Sequence, residues 1–144
     1  MTSSEHDVNL LPHRPPMRLV ERIADVVPGE SARGLRLAHP DDWYFQGHFP
    51  DDPVVPAIVL IELLAQTGGV AVASRSEPGS AVTLRVVATG PFKFPGGARP
   101  HQLLEARARV VGRIGAIIKI DGEVLADGVR VAAGSVTLAD LGVP

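Results

Sequence analysis

Phe45-Gln-Gly-His-Phe-Pro50, Asp51-Asp-Pro-Val-Val-Pro56 and Ala57-Ile-Val-Leu-Ile-Glu-Leu-Leu-Ala-Gln66 form one unbroken stretch that decides how this chain is read. The first two parts hold Pro50, Pro53 and Pro56 within a short span. Proline removes a backbone donor and fixes φ, so this span is neither helix nor inner strand but a series of short rigid pieces. His48 sits in it, between Gly47 and Phe49-Pro50. The third part is apolar with helical length, and Pro56 suits its first turn, where a missing N–H costs nothing. Glu62 interrupts it. A carboxylate in an apolar helix is costly unless it is paired or used, and burial favours its neutral acid. A histidine and a carboxylic acid of raised pKa are the parts needed to remove one proton and donate another near neutral pH. Gln66 lies at i+4 from Glu62, on the same helix face. It either orients Glu62 or fills a buried polar gap.

Outward from this stretch, the chain divides into strands. Met17 to Val27 and Ser31 to Ala38 flank the turn pair Pro28-Gly29. The helix is expected from about Pro56 to Ser74, closed by Glu77-Pro-Gly-Ser80. Val82 to Gly90, Gln102 to Val111, Ile114 to Ile120 and Glu123 to Leu138 read as four further strands. Gly112-Arg113 and Asp121-Gly122 read as the hairpin turns between them. Val8 to Leu11 has room for one helical turn before Pro12, and residues 1–7 read as a loose tail. The pattern of two strands, one long apolar helix and four strands implies an α+β domain in which an antiparallel sheet curls around the helix.

Composition narrows the classes. The chain has 144 residues, 21% charged and 45% hydrophobic, enough for one domain, 1–144, with a real core. A net charge of -2 argues against nucleic acid as partner. The absence of cysteine removes disulfides, thiolate metal sites and a cysteine nucleophile, and fits the cytoplasm. His13 and His39 match no metal-ligand spacing with His48, so no metal is expected. Met1-Thr-Ser-Ser-Glu-His-Asp7 lacks the basic and apolar regions of a signal peptide. The apolar run from Val54 to Ala73 is interrupted by Pro56, Glu62, Gln66 and Gly68-Gly69; with only about 17 residues between Pro56 and the polar Ser74-Arg75, against the roughly 20 uncharged residues of a membrane span, it reads as a buried core helix.

The run Phe-x-Gly-His-Phe-Pro-x-x-Pro-Val-x-Pro, followed by Glu-x-x-Ala-Gln on a helix, resembles the (3R)-hydroxyacyl-acyl-carrier-protein dehydratases of the FabZ type. Leu11-Pro-His-Arg-Pro15 with Met17-Arg-Leu-Val-Glu-Arg22 also matches that family's opening. The likeness continues through Phe92-Lys93-Phe94 and Gly122-Glu-Val-Leu-Ala126. It implies the hot-dog fold and a homodimer or higher even homo-oligomer. It implies an acyl carrier protein bearing a 3-hydroxyacyl thioester as partner, with no organic cofactor. His48 would be the base at C2 and Glu62 the acid at the departing hydroxyl, drawn from different subunits. Gly47, Phe49, Pro56, Ala57, Ile58 and Gln66 would surround the substrate, with helix-start N–H groups facing the developing oxyanion.

The chain departs from the family at three places. Ala57 stands where a glycine is usual, Pro95 follows Lys93-Phe94 in place of arginine, and the next turn reads Arg99-Pro-His101. Lys93, Arg99 and Arg75 are either contacts for an acidic carrier protein or solvated surface charges. Two other functions fit the motifs less well: a hot-dog thioesterase, which needs no base at C2, and a catalytically weak module that only binds the carrier.

Overall fold

Six strands and one long helix make up the computed structural model, which describes residues 8–74 and 83–142. The expected tail over 1–7, the closing turn at Glu77-Pro-Gly-Ser80 and the candidate Arg75 lie outside the described residues. In chain order the elements are β1 (Arg22–Val27), β2 (Ser31–Leu37), a 3-10 turn (Trp43–Phe45), α1 (Ala57–Ala73), β3 (Leu84–Thr89), β4 (Leu103–Ile114), β5 (Ile117–Ala126) and β6 (Val129–Asp140). The strands form one antiparallel sheet in the order β1-β2-β4-β5-β6-β3. The expected α+β layout, a sheet around one helix, is therefore what the chain adopts.

α1 is apolar on nearly every side because it has almost no solvent-facing side. Val59, Leu60, Leu63, Leu64 and Val70 are buried, and so are all its residues from Leu63 to Ala73. They pack against Leu104, Ala106 and Ala108 of β4, Ile118, Ile120 and Val124 of β5, and Val136 and Leu138 of β6. Each fully buried Leu or Val contributes roughly 1.5–3 kcal/mol relative to exposure. Ile61 and Glu62 are the partly exposed exceptions beyond the first turn.

Two predicted turns move. Gly112-Arg113 stays within β4, because a bulge between Val110 and Gly112 keeps that strand paired with β5; the chain reverses instead at Gly115-Ala116, with Gly115 at φ +58. Asp121-Gly122 lies in the middle of β5, and the reversal falls at the other Asp-Gly pair, Asp127-Gly128, whose φ values are +47 and +82. Positive φ at both positions is what a two-residue hairpin requires. Gly122 has another reason to be glycine. A Cβ there would collide with the Arg107 carbonyl and come within 2.6 Å of Leu64 Cδ1, so its absence lets α1 lie close on the sheet.

The first predicted strand is also shorter than expected. Pairing with β2 begins at Arg22, while Met17 to Val20 run beside α1 and hydrogen-bond to one of its side chains, Gln66. The expected turn at Val8 survives as a hydrogen bond from Leu11 N to Val8 O, 3.2 Å.

Candidate active site

His48 is set by its immediate neighbours. The chain reaches it through a polar clamp in which Arg36 of β2 donates to Asp42 Oδ1 at 2.6 Å and to Tyr44 Oη at 3.2 Å, while Tyr44 donates to Asp42 Oδ2. Arg36 is 8% exposed and Tyr44 3%, so the clamp fastens the Pro-rich segment to the sheet. Gly47 follows at φ +77, a conformation that disfavours larger residues. His48 then pairs with Val54 twice: Val54 N donates to His48 O at 3.0 Å, and the ring Nδ1 lies 3.0 Å from Val54 O. A carbonyl only accepts, so Nδ1 carries a proton, and in the neutral ring Nε2 is the nitrogen that presents a lone pair. The Phe49 ring stacks on the imidazole, with centroids 4.3 Å apart. Arg99 forms an ion pair with Asp52, and Val55 N donates to Ala98 O at 2.8 Å, so the 95–101 turn supports this loop. Both side chains of that ion pair are exposed, so Arg99 stays at the surface.

The start of α1 is open. Pro56 is its N-cap, with no side-chain capping bond, and Ala57 and Ile58 are exposed. Their N–H groups have no intrahelical acceptor, as the first turn of any helix dictates.

Glu62 is set by distant neighbours. Gln66 Nε2 donates to Glu62 Oε1 at 3.0 Å and to Met17 O at 2.8 Å; Gln66 Oε1 accepts from Leu19 N at 2.8 Å and Val20 N at 3.4 Å. Every donor and acceptor site of this buried amide is used. The two roles foreseen for Gln66 are thus one: it orients Glu62 and satisfies buried backbone at once. His13 Nε2 also lies 3.5 Å from Oε1. Both donors converge on Oε1, and neither reaches Oε2.

These donors correct one expectation. Burial pushes the Glu62 carboxyl up, but the hydrogen bonds from His13 and Gln66 and the attraction of His13 outweigh it, and the carboxyl lies below its ordinary range. In this chain by itself Glu62 is a carboxylate at neutral pH. Sequence reasoning also missed His13, which it weighed only as a metal ligand. The available signal was its place in the rigid Leu11-Pro-His-Arg-Pro15 segment.

Glu62, Gln66 and His13 line a cavity of about 330 Å³ whose other walls include Leu11, Leu84, Val86 and Leu138. Ala65, Gly69 and Ala73 continue it along α1. His48 is not among its lining residues, and neither are Gly47, Phe49, Pro56, Ala57 or Ile58. The chain therefore keeps the sequence-predicted residues in two separate places, the His48 loop with the helix start and the Glu62 cavity.

Residues 11–135 match the FabA-like domain. The chain belongs to the FabA-like family. It is 37% identical over 110 residues to the 3-hydroxyacyl-[acyl-carrier-protein] dehydratase FabZ of Chloroflexus aggregans, covering 76% of each chain. It is 35% identical over 130 residues to the FabZ of Myxococcus xanthus, covering 88% of this chain and 84% of that one. Among solved structures it resembles the dehydratase heterocomplex ApeI:P of Xenorhabdus doucetiae, with a TM-score of 0.78 at 19% identity over 92% of this chain and 90% of that one. A hypothetical thioesterase of Streptococcus pneumoniae, solved with coenzyme A, superposes at a TM-score of 0.66 and 11% identity, covering 84% of this chain and 85% of that one. Together with the sheet order, these place the FabA-like chain in the hot-dog fold. No helix among the described residues is long and apolar enough to cross a membrane.

Proposed function

We propose that the protein is a hydro-lyase that removes water from a (3R)-3-hydroxyacyl group carried on acyl carrier protein, giving the trans-2-enoyl thioester in fatty-acid or related synthesis in the cytoplasm. The observation that carries this reading beyond family membership is Glu62: a carboxylate with one oxygen engaged and, among the described residues, one unengaged, set in the wall of a mostly apolar cavity. Such a cavity suits an acyl chain, and the carboxyl suits a leaving hydroxyl.

In this mechanism His48 Nε2 takes a proton from C2. The negative charge moves to the thioester oxygen, where the N–H groups of Ala57 and Ile58 stabilise it. The C3–O bond then breaks, and Oε2 of Glu62 protonates the departing hydroxide to give water. The acid must be loaded first. Burial is already the largest single influence on Glu62, and it raises the pKa; an acyl chain that expels water from the cavity strengthens that influence and favours the protonated form.

The two half-sites are joined by a second copy of the chain. Support comes from the edge strand β3, which pairs only with β6 among the described residues and includes the exposed Val86 and Val87, and from Ile58, which is 72% exposed at the helix start. Each site then combines His48 of one copy with Glu62 of the other.

Incubation with a 3-hydroxyacyl thioester on carrier protein, followed by mass spectrometry, tests the reaction. The expected product is the species lighter by one water. Release of free 3-hydroxy acid would make the protein a thioesterase, and tight binding without turnover would make it a carrier-binding module.

A further inference from the structure

The Glu62 carboxylate has a partner that the catalytic scheme does not use. His13 lies on the N-terminal segment, 3.5 Å from Oε1 through Nε2. Among the described residues, its other ring nitrogen, Nδ1, is buried with no hydrogen-bond partner. A proton on Nδ1 would be a buried donor without an acceptor, so the ring proton belongs on Nε2, aimed at Glu62. The ring thus leaves one polar atom unsatisfied while the other meets the carboxylate.

The backbone around His13 is built to hold this pose. Pro12 precedes it and Pro15-Pro16 follow shortly after. The Arg14 guanidinium donates to Leu11 O and His13 O, each at 2.7 Å, and Leu11 is 3% exposed. His39 makes an instructive contrast: it pairs with Glu21 at 2.9 Å, but both side chains are largely exposed and neither lines the Glu62 cavity.

Resting on the reading of Glu62 as the acid, we propose that His13 is a positioning residue, which with Gln66 ties down Oε1 and so confines the transferable proton to Oε2. The two donors stabilise the carboxylate that remains after proton donation, making Glu62 a stronger acid once loaded. Among the described residues, the charged or titratable groups that line the cavity with Glu62 are His13 from the N-terminal segment and Arg85 from β3; Leu138 of β6 brings none, and Gln66 of α1 is uncharged. Of these, His13 alone is among the groups that lower the Glu62 carboxyl, through its hydrogen bond.

The experiment compares wild type, His13→Ala, His13→Gln and Glu62→Gln as full chains. Readouts are kcat and KM on a 3-hydroxyacyl carrier thioester, melting temperature, and titration of the Glu62 carboxyl by carbon-13 NMR without substrate. His13→Ala is expected to lower kcat roughly tenfold, less than loss of the proton donor itself, with little change in KM. The Glu62 titration should move to higher pH, and His13→Gln, which restores an N–H donor, should recover part of both effects. If Glu62→Gln is inactive while His13→Ala keeps wild-type kcat and an unmoved Glu62 titration, His13 has no such role. A lower melting temperature with the titration unmoved overturns it equally, as a merely structural effect. Wild-type turnover in Glu62→Gln removes the acid assignment itself, and this inference with it.

Discussion

The His48 loop and the Glu62 cavity solve one problem, fixing a titratable side chain, in opposite ways. His48 is held by residues close in sequence: Gly47 before it, the Phe49 ring upon it and the Val54 carbonyl six residues on. Glu62 is held by residues far away: His13 directly, and Met17, Leu19 and Val20 through Gln66, across sequence separations of 46 to 49. The His48 ring is fixed by contacts within six residues of it, even though the 95–101 turn braces the loop from outside, whereas the cavity around Glu62 exists only when the N-terminal segment is docked on α1. The His48 ring is thus held by a local device, and the Glu62 carboxyl by tertiary assembly.

The largest expected effects separate chemistry from assembly. His48→Ala and Glu62→Gln should each lower dehydration about 10²-fold or more, the scale of positioned proton transfer, while folding survives. Turnover measured beside a melting curve checks both. Gln66→Leu should act differently, because it strands the N–H groups of Leu19 and Val20 and the carbonyl of Met17. With about 1–3 kcal/mol for each buried group left unsatisfied, partly relieved by local shifts, a loss of about 3 kcal/mol is expected. For a domain of this size that lowers Tm by on the order of 10 °C. A Gln66→Leu protein of unchanged Tm would mean that the N-terminal segment is held elsewhere, and the contrast between the two regions would fail.

The clamp beneath the His48 loop gives a smaller, pH-dependent effect. Burial raises the Asp42 carboxyl, but the Arg36 and Tyr44 hydrogen bonds, the Arg36 charge and the His39 N–H bring it below its ordinary value. A carboxyl depressed on folding stabilises the protein at pH above its unfolded pKa, about 3.9, and the gain fades as pH falls through the lower folded value. Denaturation midpoints followed downward from pH 7 should therefore decline below about pH 4. Asp42→Asn should be less stable at neutral pH and show a flatter acid limb; parallel curves for the two proteins would contradict the clamp.

The smallest effect concerns Ala57. Replacing it with glycine removes a methyl beside the N–H groups assigned to the oxyanion. The expected result is a rise of about threefold in kcat/KM on unbranched substrates, with under about 1 kcal/mol of stability lost at the helix start. A fall instead would show that the methyl belongs to a pocket shaped for another acyl group.

The same contrast explains what the sequence revealed. The sheet, the helix and its bounds to within a residue were legible because period and proline placement are local signals. His48 was legible for the same reason. The hairpin turns were not, since two Asp-Gly pairs compete: only the packing of Leu64 and the Arg107 carbonyl against Gly122 shows which one lies inside a strand. The state of Glu62 was misread because burial is visible in an apolar run, while donors arriving from His13 and the docked N-terminal segment are not. The Arg36–Asp42–Tyr44 clamp was missed for a related reason, since β2 and the 3-10 turn meet only in the folded chain.

The central claim is that a working site needs the local device of one copy and the assembled cavity of another. Mixing His48→Ala with Glu62→Gln under conditions of subunit exchange tests it most directly. Each heterodimer would contain one intact His48–Glu62 site, so a randomly mixed population should recover about a quarter of wild-type turnover from two inactive parents. Heterodimers verified by native mass spectrometry that recover no activity would contradict the claim.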